Sequence, residues 1–218
     1  MKYFIFTKKI WDLKNKNINK FRSLIRHKIN ISEIKRAKPK RLFFLHWSKI
    51  IDKKIYLNYE CIQFHCSNLP KFRGGSPVQN QILHGKNKTK LSAFRVNKGL
   101  DSGDICLSKD LSLKGNANDI YKRIENIALR EIKSSLLRPK LRYRKQVGKS
   151  SVYKRRTHKL SKISHSIKDT KKFYDYIRML DADNYPKSFL ELKNFKIEFF
   201  NAINKKNYIY GNFKIKKK

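Results

Sequence analysis

The stretch FHCSNLPKFRGGSPVQN, from Phe64 to Asn80, differs in composition from the lysine-rich sequence around it. A histidine, small polar residues, a proline and an arginine–glycine pair follow the short apolar segment Glu60–Phe64, which predicts a buried strand. In an open parallel sheet, ligands bind beyond the carboxyl ends of the strands. The sequence therefore predicts an irregular loop at a ligand-binding edge, with His65 at its start.

Predicted strands and helices alternate on both sides of this loop. This order indicates an α/β fold with a Rossmann-like, mostly parallel sheet. The predicted strands of this region are Lys2–Phe6, Arg41–Trp47, Glu60–Phe64, Thr89–Val96 and Ile105–Leu113. The predicted helices are Trp11–Ile25, a helix that begins at Ser76–Pro77, and a long helix from Ala117 with Asn116 as its cap and Asp119 three residues on.

The pattern changes after residue 137. Residues 138–166 carry no acidic side chain and no apolar period, so we predict a basic linker or a solvated arm. A helix at Thr170–Leu180 and three short strands follow. We therefore divide the chain into an α/β domain at 1–137, the basic linker at 138–166, and a small region of one helix and β-strands at 167–218.

The formal charge of +38 comes from 54 basic and 16 acidic residues. It indicates affinity for nucleic acid or another polyanion, or else a compositional bias towards lysine. The basic residues are spread along the chain instead of forming one stripe, and most are lysines, which favours the bias.

Other features of the composition limit the classes of protein. No apolar run reaches the length of a membrane span, and the apolar N-terminal segment is too short for a secretory signal, so we expect a cytoplasmic protein. The three cysteines show no paired spacing. Cys61, His65 and Cys66 lack a second ligand pair, and we expect no metal site.

A second turn, GLDSGD, follows the predicted strand Thr89–Val96 and carries Asp101 and Asp104. If this strand neighbours Glu60–Phe64, a carboxylate reaches the imidazole of His65, sets its tautomer and raises the basicity of its other nitrogen. The alternative is structural: His65 ends a strand and the aspartates form an Asx-type turn.

The combination of FHCSNLPKFRGGSP with GLDSGDI, RRT at Arg155–Thr157 and YIRMLDADNYPKSF at Tyr176–Phe189 resembles the folate-dependent formyltransferase family. That family includes methionyl-tRNA formyltransferases and amino-sugar N-formyltransferases, and the short amino-sugar members are the most similar in these motifs. The resemblance implies an enzyme that transfers a formyl group from 10-formyltetrahydrofolate to a primary amine.

The resemblance also implies a set of site residues. His65 and Asp101 match the family's catalytic histidine and aspartate, and Gln63 stands where the family has a catalytic asparagine. The implied folate-binding residues are His46, Trp47, Ile50, Val96, Gly99, Leu100 and Asp104. The implied substrate-binding residues are Ser67, Asn68, Arg73, Gly74 and Gly75.

The sequence departs from the family pattern in two places. Glutamine at position 63 carries the same amide donor on one more methylene group, so either it reaches the formyl oxygen, or Asn68 replaces it, or the site is impaired. The family has two strand–helix units before the strand at Arg41. Here one unit is clear and Asn30–Lys40 is short, which predicts an abbreviated N-terminal half.

Three functions remain open at this point. The short C-terminal region and the RGGSPVQNQI variant favour an amine on a nucleotide-linked sugar as the acceptor. The charge and the basic segment allow a tRNA acceptor. The third alternative is a basic, non-catalytic RNA-binding relative of the fold.

Overall fold

A computed structural model of the chain describes residues 2–12, 16–183 and 185–218. Its strands are β1 (Tyr3–Phe6), β2 (Ile25–Arg26), β3 (Arg41–Phe44), β4 (Glu60–His65), β5 (Arg73–Gly74), β6 (Lys88–Arg95), β7 (Ile105–Ser112), β8 (Val152–Tyr153), β9 (Ser188–Glu191), β10 (Phe195–Asn204) and β11 (Ile209–Lys217). Its α-helices are α1 (Lys16–Phe21), α2 (Ile31–Ala37), α3 (Lys53–Tyr56), α4 (Pro77–Leu83), α5 (Ala117–Glu131) and α6 (Thr170–Arg178).

The central sheet has the strand order β2-β1-β3-β4-β6-β7. The first four strands in this order are parallel, whereas β6 and β7 are antiparallel to their neighbours. The mostly parallel, Rossmann-like sheet is therefore confirmed. Strand β6 lies directly beside β4 and runs antiparallel to it, with His65 opposite Ser92 and Arg95 opposite Ile62, so the turn after β6 starts beside the amino-terminal half of β4 and folds back towards His65.

Alternating side chains of the parallel strands pack into two cores, one on each face of the sheet. Ile5, Phe43 and Ile62 face the larger core, with α1, α4 and α5. Phe6, Phe44 and Cys61 face the smaller core, with α2 and α3. Burial on both faces explains why the strands read as continuous apolar runs. Each fully buried Phe or Ile contributes about 1.5–3 kcal/mol to stability.

Two strand–helix units precede β3, whereas the sequence predicted one clear unit and an abbreviated segment at Asn30–Lys40. Strand β2 has two residues and α2 has seven, so the second unit is present in a short form. Asn30 caps α2 by accepting from the backbone N–H of Glu33. The predicted helix Trp11–Ile25 is wrong at both ends: α1 begins at Lys16, Leu13–Asn15 lie outside the described residues, and Ile25 belongs to β2.

The remaining helix predictions agree more closely with the structure. Helix α5 begins at Ala117 with the predicted capping box between Asn116 and Asp119. Pro77 is the first residue of α4, but the side chain of Ser76 does not cap this helix. Ser76 has a left-handed backbone, and its Oγ accepts from the backbone N–H of Arg156 instead. The start of α4 is thus in contact with the later chain at Arg156.

The C-terminal region is an antiparallel sheet in the order β11-β10-β9, with α6 packed against it. Phe173 of α6 meets Phe199 of β10 edge to face at 5.8 Å between ring centroids. Asp181 connects the C-terminal sheet to helix α5. Its carboxylate accepts a hydrogen bond from the backbone N–H of Asn201 in β10, and its backbone carbonyl accepts one from the N–H of Asn118 in α5.

Residues 144–155, within the segment predicted to be a basic linker or a solvated arm, lie across the loop after β4 and the turn after β6. We call this segment the strap. Arg144 exchanges two backbone hydrogen bonds with Ile105, and β8 pairs in parallel with β5. The strap is therefore part of the folded body.

Within the described ranges, no helix has an apolar stretch long enough to cross a bilayer.

Candidate active site

His65 is the last residue of β4 and is 5% exposed. Its Nε2 lies 2.7 Å from the carbonyl oxygen of Phe72, in the loop that follows the strand. A carbonyl oxygen only accepts, so Nε2 carries the proton of this hydrogen bond. The nitrogen that was expected to be free for substrate is therefore bonded to the loop, and Nδ1 is the nitrogen that faces the second turn.

Asp101 lies beside His65, with its Oδ2 3.5 Å from Nδ1. The predicted proximity of the two side chains is confirmed. Asp101 is 8% exposed and has a left-handed backbone (φ 47°), a conformation that Asp and Asn tolerate better than other non-glycine residues. Its Oδ2 also accepts from the backbone N–H of Gly74 at 2.8 Å. The same carboxylate oxygen of Asp101 thus contacts both the imidazole of His65 and the backbone N–H of Gly74 in the arginine–glycine segment.

Gln63 is two residues before His65 on β4, so the two side chains point to the same face of the sheet. Cys61, on that same face, packs in the smaller core with Tyr56 and Val96. Gln63 itself is half-buried. The glutamine is therefore placed on the histidine's side of the sheet, next to the residues that line the cavity described below.

The polar residues at the start of the loop have structural contacts. Ser67 is fully buried, and its hydroxyl donates to the carbonyl of Lys71, while its own carbonyl accepts from Ser92. Asn68 is exposed, and its carbonyl accepts from the N–H of Lys71. Ser67 is thus committed to the loop's own folding, and Asn68 lies on its outer side.

Gly74 and Gly75 allow the strap to approach the loop closely. Gly74 has φ +91°, and a Cβ there would lie 2.4 Å from the carbonyl oxygen of Tyr153. A Cβ on Gly75 would lie 2.4 Å from Cα of Arg155. These contacts give the paired glycines a packing function, and the substrate-binding role implied by the resemblance stays a prediction.

We expect Gly75→Ala to lower the free energy of unfolding by about 1–3 kcal/mol, because the backbone of Arg155 must move to admit a methyl group. Urea denaturation measures this change. Lys71→Ala, an exposed change in the same loop, is the control and is expected to stay within about 0.5 kcal/mol. An unchanged unfolding free energy for Gly75→Ala would contradict the close packing of the strap.

A cavity of about 390 Å³ lies beside the turn that carries Asp101. Its volume is within the usual range for small-molecule sites. It is lined by Lys53, Tyr56, Leu57, Arg95, Val96, Asn97, Lys98, Gly103 and Asp104. The 96–104 turn thus forms part of the cavity wall and also carries the carboxylate that contacts His65.

The implied folate-binding residues divide into two groups. Val96 and Asp104 line the cavity, and Gly99 and Leu100 belong to the same turn. The three residues that follow β3 do not line it. His46 meets the rings of Trp11 and Tyr121 edge to face, and burial lowers its pKa to about 3. Trp47 lies in the smaller core, and Ile50 is 96% exposed.

The lining residues that were not predicted come from α3 and the residue after it, and from β6 and the turn that follows β6. Lys53 and Tyr56 lie on this four-residue helix, which is too short to show an apolar period. The sequence signal that could have located this helix is Asp52, which caps it: the Asp52 side chain accepts a hydrogen bond from the backbone N–H of Lys54.

The cysteines are poorly suited to nucleophilic chemistry. Burial raises the pKa of each thiol, Cys61, Cys66 and Cys106, to about 12. The thiolate is the reactive form of cysteine, and so little of it is present near neutral pH. In the part of the chain that the structure describes, no three His, Cys, Asp or Glu side chains converge as metal ligands.

Comparison with known proteins identifies the family. Residues 12–134 match the profile described as formyl transferase, and residues 158–216 match the profile of the methionyl-tRNA formyltransferase C-terminal domain. The chain belongs to the formyl transferase family. The family resemblance seen in the motifs is therefore confirmed.

Two individual relatives at 37% identity are both named methionyl-tRNA formyltransferase. A methionyl-tRNA formyltransferase of Campylobacter lari is 37% identical over 108 residues, which are 49% of this chain and 36% of that protein. The chain thus matches only about a third of the length of this curated relative. A solved structure of a methionyl-tRNA formyltransferase from Clostridium thermocellum is 37% identical with a TM-score of 0.93, and the match covers 100% of both chains.

A 4-N formyltransferase from Francisella tularensis shares the fold at 18% identity and a TM-score of 0.66, covering 88% of this chain and 93% of that one. The two formyl transferases with higher identity carry the methionyl-tRNA name. The comparisons therefore give less support to the amino-sugar acceptor expected from the motifs than to the tRNA alternative.

Proposed function

We propose that this chain transfers a formyl group from 10-formyltetrahydrofolate to a primary amine. The observation that carries the proposal is the contact of His65 with Asp101 at the carboxyl end of β4, beside a cavity of about 390 Å³. Membership of the formyl transferase family supports this reaction class.

The cavity fits a folate on chemical grounds. Tyr56, Leu57 and Val96 supply apolar surface for a flat heteroaromatic ring. Lys53, Arg95 and Lys98 supply positive charge for the carboxylates of a glutamate tail. The folate supplies an activated formyl group.

The amino acid side chains supply proton transfer and stabilisation of charge. The amine nitrogen forms a bond to the formyl carbon, the formyl oxygen gains negative charge, and the old bond from carbon to the folate nitrogen breaks. We assign the transfer of the amine proton to the leaving nitrogen to Nδ1 of His65, the ring nitrogen that is not bonded to Phe72, together with the carboxylate of Asp101. We assign to the Gln63 amide a hydrogen bond to the formyl oxygen, a contribution of about 3–4 kcal/mol in comparable sites.

For the acceptor, we propose the amino group of methionyl-tRNA. The relatives with 37% identity carry that name, and residues 158–216 match the C-terminal domain of methionyl-tRNA formyltransferases. The net charge of +38 suits a polyanionic acceptor.

A nucleotide-linked amino sugar is the second candidate acceptor. The match to the Francisella tularensis 4-N formyltransferase covers 93% of that enzyme, so the C-terminal region here is comparable in extent to that of a formyl transferase named for another acceptor. The small C-terminal sheet of three strands agrees with this alternative.

Incubation of the purified chain with 10-formyltetrahydrofolate and each acceptor tests the proposal. We expect methionyl-tRNA to be formylated, detected as formylmethionine after deacylation. Formylation of a nucleotide amino sugar alone would retain the reaction class and replace the acceptor. Salt-sensitive RNA binding with no formyl transfer to either acceptor would overturn the proposal in favour of a non-catalytic RNA-binding protein.

A further inference from the structure

The strap carries an uncharged side chain, Gln146, within a basic stretch of sequence. The structure places it half-buried against both loops of the candidate site. Its Nε2 lies 2.9 Å from the carbonyl oxygen of Asp101 and 2.8 Å from that of Gly103. Its Oε1 lies 2.7 Å from Nη2 of Arg73 and 3.2 Å from Nε of Arg73.

The orientation of this amide follows from its partners. Carbonyl oxygens only accept hydrogen bonds, and a guanidinium only donates them. The NH₂ group must therefore face Asp101 and Gly103, and the oxygen must face Arg73. A side chain with donors and an acceptor at its tip meets all four contacts.

These contacts complete a closed set of hydrogen bonds. Gln146 holds the backbone of Asp101, the carboxylate of Asp101 accepts from Gly74 N–H, and Arg73, the residue before Gly74, donates to Gln146. The carboxylate that faces His65 is attached to the same loop segment in two ways. The first connection is the hydrogen bond from Gly74 N–H to the Asp101 carboxylate. The second runs from the Asp101 backbone carbonyl through Gln146 of the strap to Arg73.

We propose that Gln146 is a positioning residue that holds the carboxylate of Asp101 against His65 for catalysis. This inference rests on the proposed function, since Asp101 is assigned there to proton transfer. Gln146 holds the backbone of Asp101 and the backbone of Gly103, a residue of the cavity lining, and none of its contacts described here is with the His65 imidazole.

Gln146→Glu separates the two halves of this role. The carboxylate keeps an acceptor for Arg73, but it places a second oxygen towards the carbonyls of Asp101 and Gly103, where only a donor fits. The turn that carries Asp101 is released while the contact with Arg73 remains. Val147→Ala is the matched control, because Val147 is the next residue of the strap and is 85% exposed.

Amide hydrogen exchange gives a readout that does not depend on activity. The Gly74 amide donates to Asp101 Oδ2, whereas the amides of Arg73 and Gly75 donate to strap carbonyls, those of Ser151 and Tyr153. We expect Gln146→Glu to speed exchange at Gly74 at least tenfold and to leave Arg73 and Gly75 unchanged. Asp101→Ala, which removes the acceptor, is the positive control.

Steady-state kinetics give the second readout, with 10-formyltetrahydrofolate and the acceptor that the wild-type chain formylates, methionyl-tRNA first. We expect Gln146→Glu to lower kcat at least tenfold with each KM within about twofold of wild type. Val147→Ala is expected to keep both parameters within twofold.

The outcomes separate this inference from the proposed function. An inactive wild-type chain counts against the proposed function, and Gly74 exchange then decides by itself whether Gln146 holds Asp101. Unchanged exchange in Gln146→Glu overturns the inference whatever the rate. Faster exchange at Gly74 with a wild-type kcat also overturns it, because the position of Asp101 would then not limit the reaction.

Discussion

Formyl transfer by the His65→Gln variant is expected to fall by about 10²–10⁴-fold, the usual contribution of a positioned acid–base group. The glutamine amide can still donate to the carbonyl of Phe72, as Nε2 of the histidine does, so the loop keeps its hydrogen bond. It cannot exchange a proton near neutral pH. The measurement is kcat for formylation, with thermal unfolding as the check that the variant is folded.

The control for this variant is His165→Gln, which makes the same chemical change at an exposed histidine. Its rate is expected to stay within about twofold of wild type. A folded His65→Gln variant with a wild-type rate would remove His65 from the proposed mechanism. If His65→Gln does not fold, the same measurement is made on His65→Asn, which retains an amide on a shorter side chain.

The Asp101→Asn variant is also expected to lose about 10²–10⁴-fold in kcat. Asparagine tolerates the left-handed backbone found at this position, and its amide oxygen can accept from Gly74 as the carboxylate does. The change therefore removes the negative charge 3.5 Å from the imidazole and leaves the turn in place. We expect KM for the folate to change by less than about twofold.

Asp110→Asn provides the control for loss of a carboxylate charge. Asp110 is exposed on β7 and pairs with Lys90 at 2.6 Å. Exposed ion pairs contribute little, and the control is expected to match the wild type in rate and in unfolding free energy. Equal rates for Asp101→Asn and the wild type would show that the carboxylate has no part in the transfer.

The sheet could be predicted because its strands are buried on both faces. The predicted strands Arg41–Trp47 and Glu60–Phe64 correspond to β3, which ends three residues earlier at Phe44, and to β4, which ends one residue later at His65. Asn116 with Asp119 located the start of α5. Short elements were missed because two to four residues carry no period: strand β2, helix α3 and strand β8 are examples. Their stability comes from contacts distant in sequence, as for β8 paired with β5.

The candidate site was predictable to the extent that it follows from the ends of adjacent strands. His65 and Asp101 met that condition only in part, because β4 and β6 are neighbours but antiparallel, and the turn after β6 must fold back along β4 to bring Asp101 to His65. The placement of His46 was not predictable, because its burial against Trp11 and Tyr121 depends on the path of the N-terminal chain. The function of the strap was hidden for the same reason: a basic, aperiodic segment shows nothing of the hydrogen bonds it forms.

The pairing of β5 with β8 has a consequence for synthesis of the chain on the ribosome. Strands β1 to β7 and helix α5 all precede residue 137, so the sequence of the central sheet emerges first. Arg73–Gly74 must wait for Val152–Tyr153, nearly 80 residues later, before it gains its partner strand. A nascent chain stopped between these points contains every strand of the central sheet but lacks the partner strand of β5, so the loop that carries the candidate site is completed only after the sheet has been synthesised.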